Sequence, residues 1–112
     1  RVKQSEWLSY LGIPESDAFR EVTIKCSDGK IYYVDGYNLD TKTIYEFNGD
    51  YFHGNPEKYE PTVINAFTKK TMKQLYKETI NKKKKLIKNG YRVIDIWESE
   101  WDKLKKSLSE NI

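Results

Sequence analysis

The residues able to do chemistry crowd into one stretch, YYVDGYNLDTKTIYEFNGDYFHG, which holds Asp35, Glu46, Asn48 and His53. Side chains on a strand repeat with period two, so Glu46 and Asn48 share a face with Ile44, while Asp35 shares one with Tyr33 and Tyr37. Pairing the two segments with Asp35 opposite Glu46 turns the more apolar face, with Val34, Tyr45 and Phe47, toward a core. That register brings two carboxylates to about 5 Å at Cβ. Two like charges at that range repel, and a divalent cation between them relieves the repulsion; oxygen ligands of this kind suit Mg²⁺. The residues alone leave the pair open between metal ligands and ordinary solvent-facing strand acids. His53 is equally open between a packed or surface imidazole and a functional one, and Glu6 reads as a routine helix-surface acid.

Two dipeptides in the same stretch, Asp35-Gly36 and Asn48-Gly49, are strong hairpin signals. Both cannot be two-residue turns, because residues 37–47 would then form one strand through Asn38-Leu39-Asp40-Thr41-Lys42. That segment is a poor strand and a good turn. The expectation is therefore that NLDTK turns the chain and Asp35-Gly36 closes a strand.

The elements that must position these residues follow from periodicity. Val2, Trp7, Leu8 and Leu11 share a helical face that ends at Gly12. REVTIKC and KIYYVDGY alternate as strands around an Asp28-Gly29 turn, and TKTIYEFNG supplies a third. An irregular stretch from Gly54 to about Pro61 precedes a helix expected from Thr68 to Asn89, which exits at Gly90. YRVIDIW reads as a short buried strand, and a last helix runs from Ser99 to Leu108. The order α-β-β-β-α-β-α, with a crossover between the third and fourth strands, predicts an α/β fold: a mixed sheet flanked by helices.

The 112 residues suffice for a single domain, and the chain, which begins with Arg1, is expected to be the catalytic domain of a longer protein. No apolar run reaches the length of a membrane span or signal core, so no membrane partner and an intracellular, non-secreted location (cytoplasmic, or nucleoid or nuclear) are expected. One cysteine and one histidine cannot build a closed zinc site or an internal disulfide. The net charge of +3 hides a segregation. Residues 69–88 hold nine lysines against one acid, Glu78, whereas 95–102 hold Asp95, Glu98, Glu100 and Asp102 and no base. The run Lys82, Lys83, Lys84, Lys85 suits phosphate backbones, or a solvated helix face.

In this order, SEWLSYLGI, YYVDGY, YEFNGDYFHG, a basic helix and NGYRVIDIWESEW resemble the very-short-patch-repair (Vsr-like) branch of the PD-(D/E)xK nucleases and the related homing and viral endonuclease domains. The resemblance spans about residues 4–101. It implies a restriction-endonuclease-like fold and Mg²⁺-dependent hydrolysis of DNA phosphodiester bonds, with Mn²⁺ able to substitute. It implies Asp35, Glu46 and the main-chain carbonyl of Phe47 as metal ligands, with His53 near the scissile phosphate and Glu6 organising metal-bound water. Lys82 to Lys85 would line the nucleic acid, double-stranded DNA by expectation, bound by a monomer or homodimer. Asn48 stands where the wider superfamily has lysine and this branch commonly has histidine; Asn orients water or a phosphate oxygen but supplies no charge. An inactive nucleic-acid-binding module of the same fold is the alternative.

Overall fold

Alternating strands and amphipathic helices appear in the expected order. The computed structural model describes residues 2–110. They form α1 (Val2–Tyr10), β1 (Arg20–Lys25), β2 (Ile31–Asn38), β3 (Thr43–Asn48), α2 (Met72–Lys88), β4 (Arg92–Trp97) and α3 (Glu98–Glu110). The strands make one mixed α/β sheet in the order β1-β2-β3-β4, with β1–β2 and β2–β3 antiparallel. Turn chemistry explains the first two connections. Gly29 sits at φ 87° between β1 and β2, where its N–H donates to the Cys26 carbonyl. Asn38 Oδ1 accepts from the N–H groups of Asp40 and Thr41, so NLDTK is the turn between β2 and β3. Asp35-Gly36 lies inside β2.

The chain divides into two compact units: residues up to Phe47 with Lys83–Asp95, and Asn48–Lys82 with Ile96 onward. In the first, Ile24, Cys26, Val34, Tyr37, Ile44 and Leu86 form the core, flanked by Val22, Tyr32, Tyr91 and Val93. Leu86 and Ile44 are wholly buried, which is worth about 1.5–3 kcal/mol for each such side chain. Helix α1 lies on the sheet through Leu8 and Trp7, whose ring meets Tyr45 edge-on at 6.4 Å and Phe47 at 6.1 Å. Gly36 makes that contact possible: a Cβ there would come within 2.9 Å of Leu8 Cδ2 and 3.2 Å of Tyr45 Cβ. Arg20 ties α1 to β1 by donating to Ser5 Oγ, Ser9 Oγ and the Ile13 carbonyl.

The second unit contains a long irregular segment between β3 and α2, ordered by two buried asparagines. Asn65 is fully buried; its Oδ1 accepts from Phe67 and Thr68 N–H, and its Nδ2 donates to the Tyr51 carbonyl. Asn55 donates to Asp50 Oδ1 at 2.8 Å and accepts from Glu57 N–H. These bonds serve backbone groups that a buried loop would otherwise leave unpaired. The Asn65 turn, with Lys69 at φ 62°, also delays α2 to Met72, four residues after the expected start. The helix opens with a capping box. Thr71 Oγ1 accepts from Gln74 N–H, and Gln74 Oε1 accepts from Thr71 N–H. Met72, Leu75 and Trp101 are the buried apolar side chains of this unit. The fourth strand differs from the expected buried strand: β4 is a sheet edge, with Arg92, Ile94 and Asp95 exposed. No helix among the described residues is long and apolar enough to cross a membrane.

Candidate functional site

The main-chain register of β2 and β3 runs Asn38↔Thr43, Tyr37↔Ile44, Gly36↔Tyr45. The ladder stops there, one step short of Asp35 and Glu46. There side chains take over from the backbone ladder. Phe47 N–H donates to Asp35 Oδ2 at 2.7 Å, and Asp35 N–H donates to Glu46 Oε2 at 3.3 Å. The two half-buried carboxylates thus lace the end of the strand pair reciprocally, each holding a main-chain donor near the other. A charged acceptor at 2.7 Å is a strong hydrogen bond, so the Asp35 rotamer is held firmly.

The donors brought together here are oxygens, the carboxylates of Asp35 and Glu46. Among the described residues no group of three or more His, Cys, Asp or Glu side chains comes together to hold a metal ion. Two carboxylates suit Mg²⁺ or Mn²⁺, which keep several waters, and do not suit zinc, which takes four protein ligands in structural sites. Glu6 lies exposed on α1, one residue before the Trp7 that seats that helix on Tyr45 and Phe47.

Asp35, Glu46, Phe47 and Glu6 belong to the first unit, whereas Asn48 and His53 belong to the second. Asn48 ends β3 and is 6% exposed. His53 is half-buried; its N–H donates to the Gly49 carbonyl and its Nδ1 lies 3.0 Å from Thr79 Oγ1 on α2. Gly54, at φ 66°, presses the chain against the start of α2. A Cβ on it would overlap the Met72 carbonyl oxygen and come within 2.9 Å of Tyr76 N. Near the same loop Asp50 Oδ1 accepts from Ser99 Oγ at 3.2 Å, and Glu98 Oε1 accepts from Asp50 N–H at 3.2 Å. Asp50 therefore sits at the N-terminus of α3, where a carboxylate is favoured by the helix dipole. Sequence reasoning missed Thr79 and the Asp50–Asn55–Ser99 set. The Asn-Pro step at 55–56 was a signal for a turn, but nothing in the spacing tied Asp50 to α3.

The four lysines are not equivalent. Lys83 pairs with Asp95 at 3.0 Å and Lys85 pairs with Asp28, while Lys84 is exposed and Lys82 half-buried. The Lys85 hydrogen bond holds the Asp28 carboxyl below its ordinary pKa, and the same bond raises that of Lys85. Lys83 and Lys85 at least are thus engaged with acids of their own chain.

An unanticipated feature is a cluster of four rings, of which Phe52 and Phe67 are exposed. Tyr51 meets Phe52 at 5.4 Å, Tyr59 at 5.6 Å and Phe67 at 6.5 Å, all edge-on, and Phe52 meets Phe67 at 5.6 Å. Phe67 is 76% exposed and Phe52 50%, although the turn beneath Phe67 is fixed by Asn65 and by Tyr51 Oη, which accepts from Ala66 N–H. Lys69 and Lys70 follow on the same turn, the latter paired with Glu78. No family model matches the chain, and no curated protein or solved structure matches it either.

Proposed function

We propose that this protein is a metal-dependent endonuclease of restriction-endonuclease-like fold that hydrolyses phosphodiester bonds in double-stranded DNA. The observation that carries the reading is the Asp35–Glu46 pair, two half-buried carboxylates on adjacent strands laced through each other's backbone. The resemblance of the YYVDGY, YEFNGDYFHG and NGYRVIDIWESEW segments to Vsr-like nucleases supports it. Asp35, Glu46 and the Phe47 carbonyl would hold the cation, which when bound supplies Lewis-acid polarisation of the phosphate and a more acidic water. Glu6 is assigned to orient a water, and His53 to take or return a proton. Phosphate contacts fall to the run Lys82, Lys83, Lys84 and Lys85, with Lys83 and Lys85 contributing where they exchange their acid partners.

Asn48 favours a second reading. A buried amide stands where the superfamily has a lysine, so the chain would bind nucleic acid without cutting it. Calorimetric titration of Mn²⁺ together with a nicking assay on supercoiled DNA separates the two. Asp35→Asn and Glu46→Gln keep an acceptor oxygen for the lacing bonds but remove the charge. The nuclease reading expects a Mn²⁺ site and cleavage in the wild type and neither in these variants. Cleavage that survives both substitutions, or persists in excess chelator, overturns it; salt-sensitive binding without a Mn²⁺ site establishes the second.

A further inference from the structure

We propose that an apolar pocket between residues 54–61 and the first turns of α2 receives the base of an unpaired nucleotide, with the nucleotide's phosphate on Lys73; the class of ligand, though not the pocket, rests on the nucleic-acid reading above. The cavity measures about 240 Å³. One wall is Gly54, Pro56, Tyr59 and Pro61, and the other is Met72, Lys73 and Tyr76. Main-chain bonds tie loop to helix: Lys73 N–H donates to the Pro61 carbonyl at 3.1 Å, and Met72 N–H to the Val63 carbonyl at 2.8 Å. Gly54, lacking a Cβ, lets the loop lie directly on the Met72 carbonyl. The two tyrosine rings are braced by neighbours that do not line the pocket. Tyr76 stacks on Trp97, with centroids 6.4 Å apart, and Tyr59 meets Tyr51 edge-on at 5.6 Å. Walls held in this way are in place before any ligand arrives, which spares binding the cost of ordering them.

The lining decides what fits. Two tyrosines, two prolines and a methionine offer apolar surface and almost no polar atoms. The volume lies below the roughly 300 Å³ at which sites for drug-sized ligands begin, so it suits one ring system. Lys73 is the single charged residue among those that line it, is exposed, and pairs with no acid of the described residues. A planar apolar body joined to an anion is the chemistry of a nucleotide. Stacking on aromatic rings needs only the face of a base, so it serves every base alike. A lining without hydrogen-bonding groups reads no base edge, and the pocket should therefore accept purines and pyrimidines without reading sequence. Its wall also begins one residue after His53, the group assigned above to proton transfer.

Met72 is the chain's only methionine, so a ¹³C-methyl-methionine spectrum of the whole chain contains one signal, at the pocket wall. Titration with millimolar deoxyadenosine monophosphate should shift it saturably through the ring current of the base, and thymidine monophosphate should bind comparably. Deoxyribose phosphate, which has no base, should produce no such shift. Lys73→Met keeps the aliphatic stem and removes the charge, so affinity for the nucleotide should fall about tenfold, the worth of one charged hydrogen bond. No saturable shift with the nucleotide in the folded wild type, or unchanged affinity in Lys73→Met, overturns the proposal. Tighter binding of benzoate than of the nucleotide makes the pocket an aryl-carboxylate site and overturns it too. The wild-type titrations stand even if the variant does not fold. Cleavage of supercoiled DNA by a protein whose methyl signal ignores nucleotides removes the pocket and leaves the nuclease reading; a shifted methyl in a protein that cuts nothing does the reverse.

Discussion

Replacing Gly54 with alanine should cost far more than the same change at Gly90, and the comparison tests how the loop is seated on α2. Both glycines have positive φ, 66° and 93°, so both substitutions force an L side chain into the left-handed region. That costs about 1–2 kcal/mol. At Gly90 nothing lies within 4 Å of the added Cβ, so the conformational cost stands alone. At Gly54 the methyl would meet the Met72 carbonyl oxygen and the Tyr76 amide nitrogen, both main-chain atoms of a helix that cannot swing away as a side chain could. Overpacking of this kind adds about 1–3 kcal/mol. The expected totals are about 2–5 kcal/mol at Gly54 and about 1–2 kcal/mol at Gly90. At roughly 4 °C per kcal/mol for a domain of this size, Gly54→Ala should melt about 8–20 °C lower and Gly90→Ala about 4–8 °C lower. Urea denaturation followed by circular dichroism gives the free energies, and thermal melts check them. Equal losses in the two variants, or a loss under about 1 kcal/mol at Gly54, would refute the close approach and with it the placement of His53.

The Asp28–Lys85 pair predicts an acid limb in the stability profile. The folded Asp28 pKa is depressed, so its contribution is present above the ordinary value of 3.8 and is lost as pH falls through the folded value. Lys85 is raised, so its contribution is present below 10.5 and is lost as pH climbs through the folded value. Denaturation midpoints at about pH 5 and about pH 2.5 should differ less in Asp28→Asn than in wild type; an unchanged difference would show that the pair carries none of the acid limb. Phe67→Ser removes an exposed ring, so stability should move by no more than about 0.5 kcal/mol. Nucleic-acid affinity in a fluorescence-anisotropy titration should nevertheless fall about tenfold, the worth of one stacked base. Equal affinities on both single-stranded and duplex probes would remove the ring cluster from the binding surface.

The fork between β2 and β3 could be read before any coordinates because it depends on local rules. Period-two alternation, a turn-forming NLDTK and the incompatibility of two adjacent tight turns place β2 and β3 side by side. The side-chain bonds Phe47 N–H to Asp35 and Asp35 N–H to Glu46 bring the two acids to the open end of the pair. The loop after β3 obeys no such period. Its order comes from Asn55 and Asn65, each satisfying main-chain groups several residues away, and an asparagine in a sequence does not announce which N–H it will accept from. Thr71-x-x-Gln74 was a legible helix start, and α2 begins at Met72, four residues after the expected Thr68. The ion pairs of the lysine run were hidden for a related reason. Its counter-charges, Asp28 and Asp95, come from the β1–β2 turn and from β4, and no spacing rule along the helix connects them.

The lacing at the fork also bears on how such a chain would age in a lineage. Oδ2 of Asp35 and Oε2 of Glu46 each take a backbone amide, so both acids would be retained by folding alone after any chemistry had lapsed. A descendant that kept the two carboxylates would therefore advertise an intact strand pair and nothing about turnover.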